Sequence, residues 1–316
     1  MANNLVTRHQ TGKLAVSPEK QEYIEKSIAY YMRYLKRAFQ SGELQEEFVE
    51  NDDETQFVFN MDSGRTIGLR GDENVKYAYV VSGDERITMM VRITGGPHAC
   101  IAPMLVFKNE NCSYPIRAVP DTVPGVCYRS GKKGWMDNRV FQEWLSEPRA
   151  IRALQNTQRR VLFVDNCSGH NENESVQKCL GEIKTELRKF PLNATDLVQP
   201  ADSFAISKIK DACRREWDTY KAGEIARGSW MGSGPGASGK LKNPGKGFFL
   251  KLAANAVREV NNQRDKNGVS FARKSMIRTG LSLNLNGLWE EKQLSSELQA
   301  IISKHRVHFN GQEVEP

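Results

Sequence analysis

Two apolar segments of the chain end in acidic residues, and these carboxylates are the first candidates for chemistry. The run from Val161 to Val164 leads directly into Asp165 and Asn166, and the run from Phe57 to Met61 is followed by Asp62. Short runs rich in β-branched and aromatic residues predict buried strands. A single Asp after such a run is more often a turn or capping residue, so the repeated pattern is what favours a site.

A third acid, Asp202, follows Pro200 at the predicted start of a helix with an apolar face that includes Phe204 and Ile209. A lone Asp in a first helical turn is usually only a cap. Carboxylates from two strands and a helix start can nevertheless meet at one sheet edge, where hard oxygen ligands suit Mg²⁺ or Mn²⁺ rather than zinc. Two such ions clamp the attacking and leaving oxygens of a phosphodiester, so nucleic acid is the expected substrate. No small-molecule cofactor is expected.

The placement of charge gives a second indication of the substrate. The net charge is +7, and residues 203–280 contain 16 Lys or Arg against 6 Asp or Glu. A clustered basic excess suits a polyanion, although a solvated helical surface explains it equally well. The acidic run Glu43 to Glu54 could bind a metal or histones, but we expect a solvated linker ahead of the first strand.

The elements that position these acids can be read from periodicity and turn signals. Ser17 and Pro18 begin a helix that continues to Gly42. Further helices are expected over 172–183, after an Asp137 or Asn138 cap, after Pro200, and through the C-terminal part. The predicted strands are Thr55–Met61, Tyr77–Val81, Arg86–Thr94, Ile101–Phe107, the run that ends in Asp165, and Thr185–Phe190, with a turn at Gly83-Asp84.

Composition excludes several classes of protein. No apolar run approaches the roughly 18 to 20 residues that span a bilayer, and the first residues lack the apolar block of a signal peptide, so no membrane association and an intracellular location are expected. The six scattered cysteines suggest neither a disulfide framework nor a zinc ribbon. A P-loop-like segment at 234–240 is rejected because Leu241 replaces the Ser/Thr that would hold magnesium.

Several blocks of the sequence, taken in order, resemble the DDE superfamily endonuclease domain of pogo and Tigger transposases, relatives of jerky and centromere protein B. The resemblance covers about residues 55–225. It rests on these blocks: Asn60-Met61-Asp62, Gly83 to Thr88, Val123-Pro124-Gly125-Val126, Lys133-Gly134-Trp135-Met136 with Phe141 and Trp144-Leu145, Val164 to His170, and Leu197 to Asp202.

The resemblance implies an α/β, ribonuclease H-like mixed sheet flanked by helices, with Asp62, Asp165 and Asp202 as the catalytic, metal-binding triad. Asn166 and His170 are possible accessory residues, and His170 could equally form a structural hydrogen bond. Cys167 with His170 would make at most half a zinc site. The resemblance also implies a transposase that acts on DNA in the nucleus, and it suggests a homodimer on transposon ends.

This resemblance divides the chain into three segments. Residues 1–45 resemble the end of a helix-turn-helix DNA-binding region with its connecting helix, residues 46–225 the DDE domain, and residues 226–316 a Gly-rich junction with a basic helical region. The family often has Glu after the first acid and Gln-Gly after the third, where this chain has Ser63 and Ser203-Phe204. Activity therefore stays open, and the alternatives are a domesticated, non-catalytic protein that binds DNA or other proteins and a nuclease acting on RNA.

Overall fold

A mixed β-sheet forms the centre of the fold. The computed structural model describes residues 16–58, 86–149, 158–167, 173–229, 241 and 243–314. The strands in these ranges are β1 (Val49–Val58), β2 (Arg86–Thr94), β3 (Ile101–Lys108), β4 (Cys127–Gly131), β5 (Arg160–Val164) and β6 (Thr185–Lys189).

The strand order is β4-β3-β2-β1-β5-β6. Strand β2 is antiparallel to β1 and β3, whereas β1, β5 and β6 are parallel to one another. Together with helices on both faces, this order confirms the expected ribonuclease H-like α/β class. In the β1–β5 register, Asn51 lies opposite Phe163, so continuing both strands by two residues brings Asp53 level with Asp165.

The helices lie before, between and after the strands. Helix α1 ends where Gly42 takes a left-handed conformation with φ 78°, which glycine adopts without strain. A π-helical turn, Ala201–Ala205, leads into α5. The helices are α1 (Pro18–Ser41), α2 (Asn138–Leu145), α3 (Glu174–Glu182), α4 (Thr195–Val198), α5 (Ile206–Ala226), α6 (Lys246–Asn262), α7 (Phe271–Arg278), α8 (Ser296–Lys304) and α9 (Arg306–Phe309).

Two hydrophobic cores cover the two faces of the sheet. Val161 and Phe163 of β5 belong to the larger core, which contains residues from Ile24 to Phe309. Leu162 of the same strand belongs to the smaller core with α2 and α3. Successive residues of a strand point to opposite faces, so an apolar run without alternation is what a strand buried on both faces requires.

The acidic run Glu43 to Glu54 is not the solvated linker that its charge predicted. Strand β1 begins at Val49 rather than Thr55, and the polar residues from Glu50 to Asp53 are all buried. Charge density misleads here because the buried carboxylates of Glu50 and Asp52 accept hydrogen bonds from arginine and tryptophan side chains that lie far away in sequence.

Most other expected elements are confirmed. Ser17 and Asp137 cap their helices, and β2, β3, α3 and β6 form close to the predicted bounds. The segment Tyr77–Val81 and the Gly83-Asp84 turn lie outside the described residues. No helix in the described ranges has the length and apolar character needed to cross a membrane.

Candidate active site

Strand β1 separates its acidic residues onto two faces with different roles. Glu50 and Asp52 point toward the smaller core, where arginines meet them. Asp52 accepts hydrogen bonds from Arg92 Nε at 2.8 Å and Nη2 at 2.7 Å, and from Trp144 Nε1 at 2.8 Å. Glu50 accepts from Arg160 Nη1 at 3.1 Å. These two carboxylates are therefore part of the structural core.

The Arg92 side chain neutralises the negative charges on this face of β1. Burial alone would lower the pKa of Arg92, but the charge of Asp52, its hydrogen bonds to Arg92 and the charge of Glu50 raise the pKa overall. The guanidinium also lies 5.0 Å from the centre of the Trp144 ring. Trp144 is fully buried, whereas Trp135 is 50% exposed.

Asp53 lies on the other face and has no ion pair in the described ranges like the one between Asp52 and Arg92. Its Oδ1 accepts the backbone N–H of Glu54 at 2.7 Å, while Oδ2 is buried without a hydrogen-bond partner among the described residues. Burial raises the pKa of Asp53 well above its usual value, and the charges of Asp202 and Asp165 raise it further. Asp53 is thus a buried acid surrounded by other acids.

Asp165 and Asp202 reach this point from two other elements. Asp165 directly follows β5, and its Oδ1 accepts from the N–H of Cys167 at 3.2 Å. Asp202 lies in the π-helical turn before α5. Desolvation raises the pKa of Asp202, and the charge of Asp165 adds to the rise. Although the Asp202 residue is exposed overall, its carboxyl group interacts with both other acids.

Asn51 connects the three elements that carry these acids. Its side chain is fully buried. The amide oxygen accepts from Ala201 N at 3.1 Å, and Nδ2 donates to Phe163 O at 3.0 Å and to Asp52 O at 3.1 Å. Ala201 precedes Asp202, Phe163 lies two residues before Asp165, and Asn51 lies two residues before Asp53, so one amide sets the relative positions of all three.

Lys210 places a cationic side chain beside the acids. Burial lowers the pKa of Lys210 on α5, and the charges of Asp202 and Asp53 partly offset that decrease. Lys210 follows Asp202 by about two helical turns, so both side chains lie on the same side of the helix. Among the described residues, half-buried Lys210 offsets only part of the negative charge of the three acids.

The residues present suit a hard divalent cation. Carboxylate oxygens are the ligands that Mg²⁺ and Mn²⁺ prefer. The Oδ2 atom of Asp53 is buried without a hydrogen-bond partner among the described residues, and the charges of Asp202 and Asp165 add to the rise in the Asp53 pKa that burial causes. In the described part of the chain, no group of three or more His, Cys, Asp or Glu side chains is already close enough to hold a metal ion. The donor chemistry fits such an ion.

Some of the site residues predicted from the sequence lie among the described residues, and others do not. Asp165 and Asp202 lie close enough for the charge of Asp165 to raise the pKa of Asp202, and their roles as site residues stay predictions. Asn166 lies beside them, and its Nδ2 donates to Phe190 O at 2.8 Å. Asp62 and His170 lie outside the described residues. Asp53 was missed, although Asn51-Asp52-Asp53 repeats the Asn-x-Asp spacing of Asn60-Met61-Asp62.

Comparison with known sequences identifies the family. The sequence profile described as DDE superfamily endonuclease matches residues 84–266, more than half of the chain. The chain belongs to this family. The matched part of the DDE domain contains Asp165 and Asp202, and β1 with Asp53 lies just N-terminal to it.

One curated relative is the Mus musculus "Pogo transposable element with KRAB domain". It is 22% identical to this DDE chain over 249 residues, which make up 78% of the chain and 38% of the relative. The chain therefore spans less than two fifths of the length of that relative.

Two similar solved structures contain mariner-type transposases. "Mos1 transposase paired-end complex with left transposon end" has a TM-score of 0.43 and 11% identity, covering 81% of this chain and 63% of that one. "Crystal structure of the catalytic domain of Mos1 mariner transposase" has a TM-score of 0.35 and 9% identity, covering 85% and 98%. At these scores the likeness carries no functional inference, which rests instead on the DDE family and on the acids.

Proposed function

We propose that the chain is a divalent-metal-dependent DNA endonuclease of the transposase type, which also joins the freed 3′-hydroxyl to target DNA. Its acidic triad would be Asp53, Asp165 and Asp202. The observation that carries this proposal is that the Asn51 side chain is hydrogen-bonded to the backbone of the three segments that bear these acids, in a member of the DDE superfamily endonuclease family. The direction of the Asp53 pKa shift, raised by burial and by the charges of Asp202 and Asp165, agrees with this geometry.

The choice of Asp53 over Asp62 as the first acid has two supports. Asp53 lies in β1, level with Asp165 in the parallel neighbour, which is where a strand can present an acid to the other two. In addition, Glu54 follows Asp53, as Glu often follows the first acid in this family, whereas Ser63 follows Asp62. The departure noted at Ser63 disappears if Asp53 is the first acid.

The chain's own residues would divide the work of catalysis. Asp53, Asp165 and Asp202 would hold two Mg²⁺ or Mn²⁺ ions, which when bound activate a water or a 3′-hydroxyl and neutralise charge on the phosphate oxygens. Asn51 keeps the three acids in register. Lys210 places a positive charge beside Asp202 and Asp53, which reduces the repulsion when both are ionised.

Affinity for the DNA backbone would come from outside the acidic centre. Residues 203–280 have an excess of ten positive charges, from 16 Lys or Arg and 6 Asp or Glu. Each Lys or Arg near a phosphate releases condensed counterions, so binding should weaken steeply with salt. Action in the nucleus, on transposon ends and as a homodimer belongs to this proposal, as does the division into segments 1–45, 46–225 and 226–316.

Nicking of supercoiled plasmid tests the proposal. With Mn²⁺, the wild-type chain should convert supercoiled plasmid to the open circle, and Asp165→Ala should abolish the conversion while circular dichroism shows an unchanged fold. Asp53→Asn and Asp62→Asn are then compared under the same conditions. Loss of nicking in Asp53→Asn alone supports the triad proposed here, and loss in Asp62→Asn alone would assign the first position to Asp62.

A second candidate function is a domesticated DNA-binding protein without catalysis. The observation that favours it is that the described acids are not already gathered into a metal site, while the basic excess is intact. Salt-sensitive DNA binding without nicking, and without any effect of Mn²⁺ on thermal unfolding, would establish this function instead. Faster cleavage of RNA than of DNA would indicate the third alternative.

A further inference from the structure

A polar cavity lies at the end of the sheet opposite the acids. Residues 97–100, in the hairpin between β2 and β3, form one wall, and residues from the end of α6 to the start of α7 form the other. Its volume is about 370 Å³, within the range of about 300 to 1,000 Å³ typical of small-ligand sites. Gly95 N donates to Val49 O at 2.8 Å, so the hairpin adjoins the start of β1, about 13 Å along the strand from Asp53. The cavity is therefore separate from the acidic centre.

Two arginines give this cavity a positive charge. The polar side chains in its lining are those of His98, Asn261, Arg264, Asn267, Ser270 and Arg273. Among the described residues that line it there is no Asp or Glu. A guanidinium stays protonated at every pH a protein meets, so both arginines carry their full charge. A cavity with cationic donors and no acid in its described lining favours an anionic ligand.

Both guanidinium groups keep N–H donors that the described part of the protein does not use. Arg264 Nη1 donates to the carbonyls of Asn261 at 2.5 Å and Gln263 at 2.8 Å, which leaves Nε and Nη2 without a partner in the described ranges. The Arg273 guanidinium forms no hydrogen bond with the described residues, and its Nη2 lies 3.9 Å from Glu46. The Arg273 side chain is 17% exposed and lines the cavity, so its terminal nitrogens, unlike the buried Nε, can reach a ligand.

Two acids near these arginines are bound to other groups. Asp265 accepts two backbone N–H groups and pairs with Lys274 Nζ at 3.0 Å. Glu46 Oε2 accepts the hydroxyl of Ser282 and a backbone N–H. At 3.9 Å from Nη2, the Glu46 carboxylate is too far for a hydrogen bond to Arg273 and offsets only part of its charge. The positive charge of the cavity is therefore largely unbalanced by the described acids.

The walls of the cavity are held together by side-chain hydrogen bonds. Asn261 accepts the N–H of Ile101 at 2.8 Å and donates to the carbonyl of the same residue at 2.9 Å. Ser270, the N-cap of α7, donates to the carbonyl of Ala99 at 3.4 Å. These bonds tie the hairpin to α6 and α7. The two arginines are thus carried on walls that need no rearrangement to take a ligand, which lowers the entropic cost of binding.

We propose that this cavity binds a phosphate group between Arg264 and Arg273, at a site distinct from the three acids. The planar guanidinium presents paired N–H donors that match two oxygens of a phosphate. Arg264 would donate through Nε and Nη2, and Arg273 through its terminal nitrogens. A backbone phosphate of DNA and a free phosphate compound such as pyrophosphate present the same chemistry. The site does not depend on the proposed function, because it uses none of the acids.

Isothermal titration calorimetry of the full chain with pyrophosphate tests this inference, at constant ionic strength and without divalent metal. The wild type should bind pyrophosphate saturably. Arg264→Gln should weaken binding about tenfold, from the loss of a charge-assisted hydrogen bond. Arg264 is exposed, so the variant should keep its fold, which circular dichroism checks. Arg264→Lys should have an intermediate affinity, because the charge remains but the paired donors are lost.

A second variant and a matched control come from α7. Arg273→Gln should also weaken pyrophosphate binding about tenfold. Arg278→Gln should leave it unchanged, because Arg278 lies on the same helix, is exposed and does not line the cavity. Equal affinities of the wild type and both cavity variants would overturn the site. An equal loss in Arg278→Gln would also overturn it, by showing a general attraction to the basic surface, and so would acetate binding as tightly as pyrophosphate.

Fluorescence anisotropy with a fluorescein-labelled DNA duplex distinguishes the two sources of the phosphate. Weaker DNA binding by Arg264→Gln and Arg273→Gln than by Arg278→Gln, with pyrophosphate as a competitor, would assign the site to the DNA backbone. Unchanged DNA affinity together with lost pyrophosphate binding would assign it to a free phosphate compound. Both measurements omit Mn²⁺, so the phosphate site can be supported in a chain that never nicks plasmid, and it can be overturned in one that nicks normally.

Discussion

Replacing Asp53 by Asn should stabilise the metal-free protein and remove its response to divalent cations. Asparagine keeps an oxygen that can accept the Glu54 N–H, and it replaces the buried, unpartnered Oδ2 with an N–H donor facing the Asp202 carboxylate. The substitution therefore removes one repelling charge without removing a hydrogen bond. For most buried charged residues the same change is destabilising.

The pH dependence follows from the raised pKa of Asp53. Between the ordinary Asp pKa of about 3.9 and the raised folded value, the folded state binds more protons than the unfolded state, so stability falls as pH rises through that window. Relief of a buried, unpartnered polar group is worth about 1 kcal/mol or more. At neutral pH, Asp53→Asn should therefore gain about 2 °C in Tm.

Thermal unfolding with and without Mn²⁺ is the assay. At about one hundred times its Kd, a bound ion stabilises the folded state by about 2.7 kcal/mol, which should raise the Tm of the wild type by about 5 °C and leave Asp53→Asn unchanged. The gain from Asp53→Asn should shrink when the melts are repeated at acidic pH, because the wild-type carboxyl is then protonated in both states.

The neighbouring residue supplies the matched control. Asp52→Asn breaks the buried pair with Arg92, which should cost about 3 to 5 kcal/mol. A destabilised metal-free Asp53→Asn protein that retains the Mn²⁺ response would refute the assignment of Asp53 to the acidic centre. Opposite signs for adjacent aspartates would show that the face of β1, and not its charge, determines the role of each acid.

Two further predictions concern the residues that support the site. Asn51→Ala leaves the Ala201 N–H and the Phe163 carbonyl without their side-chain partner, so chemical denaturation should show a loss of about 2 to 4 kcal/mol, and plasmid nicking should fall even where the variant is fully folded. Trp144→Phe removes one N–H donor to Asp52 and should cost about 1 kcal/mol without altering the Mn²⁺ response in thermal melts.

Much of the fold can be predicted from sequence because its signals are local. The apolar run Val161 to Val164 has no alternation, which indicates a strand buried on both faces, and the two cores confirm this. Helix α1 is defined by the Ser17 cap and by Gly42. In both cases a few neighbouring residues determine the backbone conformation.

Strand β1 is not predictable in the same way, because its polar residues are stabilised by partners distant in sequence. Asp52 is buried only because Arg92 and Trp144 meet it across the fold, and Asn51 only because Ala201 and Phe163 do. In a window of ten residues such a strand has the composition of a solvated loop. The assignment of the first acid depends on this strand: with a strand that starts at Thr55 the sequence offers Asp62, and with one that starts at Val49 it also offers Asp53.

The two faces of β1 explain why a stable fold can hold uncompensated acids. The arginines and the tryptophan on one face hold Glu50 and Asp52 in place, and this fixes the backbone that carries Asn51 and Asp53 on the other. The free-energy cost of burying the unpartnered Asp53 carboxylate is offset by the ion pair of Asp52 with Arg92 on the opposite face. If β1 rotated to expose Asp53 to solvent, this ion pair would be broken. Such an unfavourable arrangement persists only where the surrounding structure holds it in place. A metal ion that pairs with the Asp53 carboxylate would remove the cost of its burial, and the ion would bind more tightly by the same free energy.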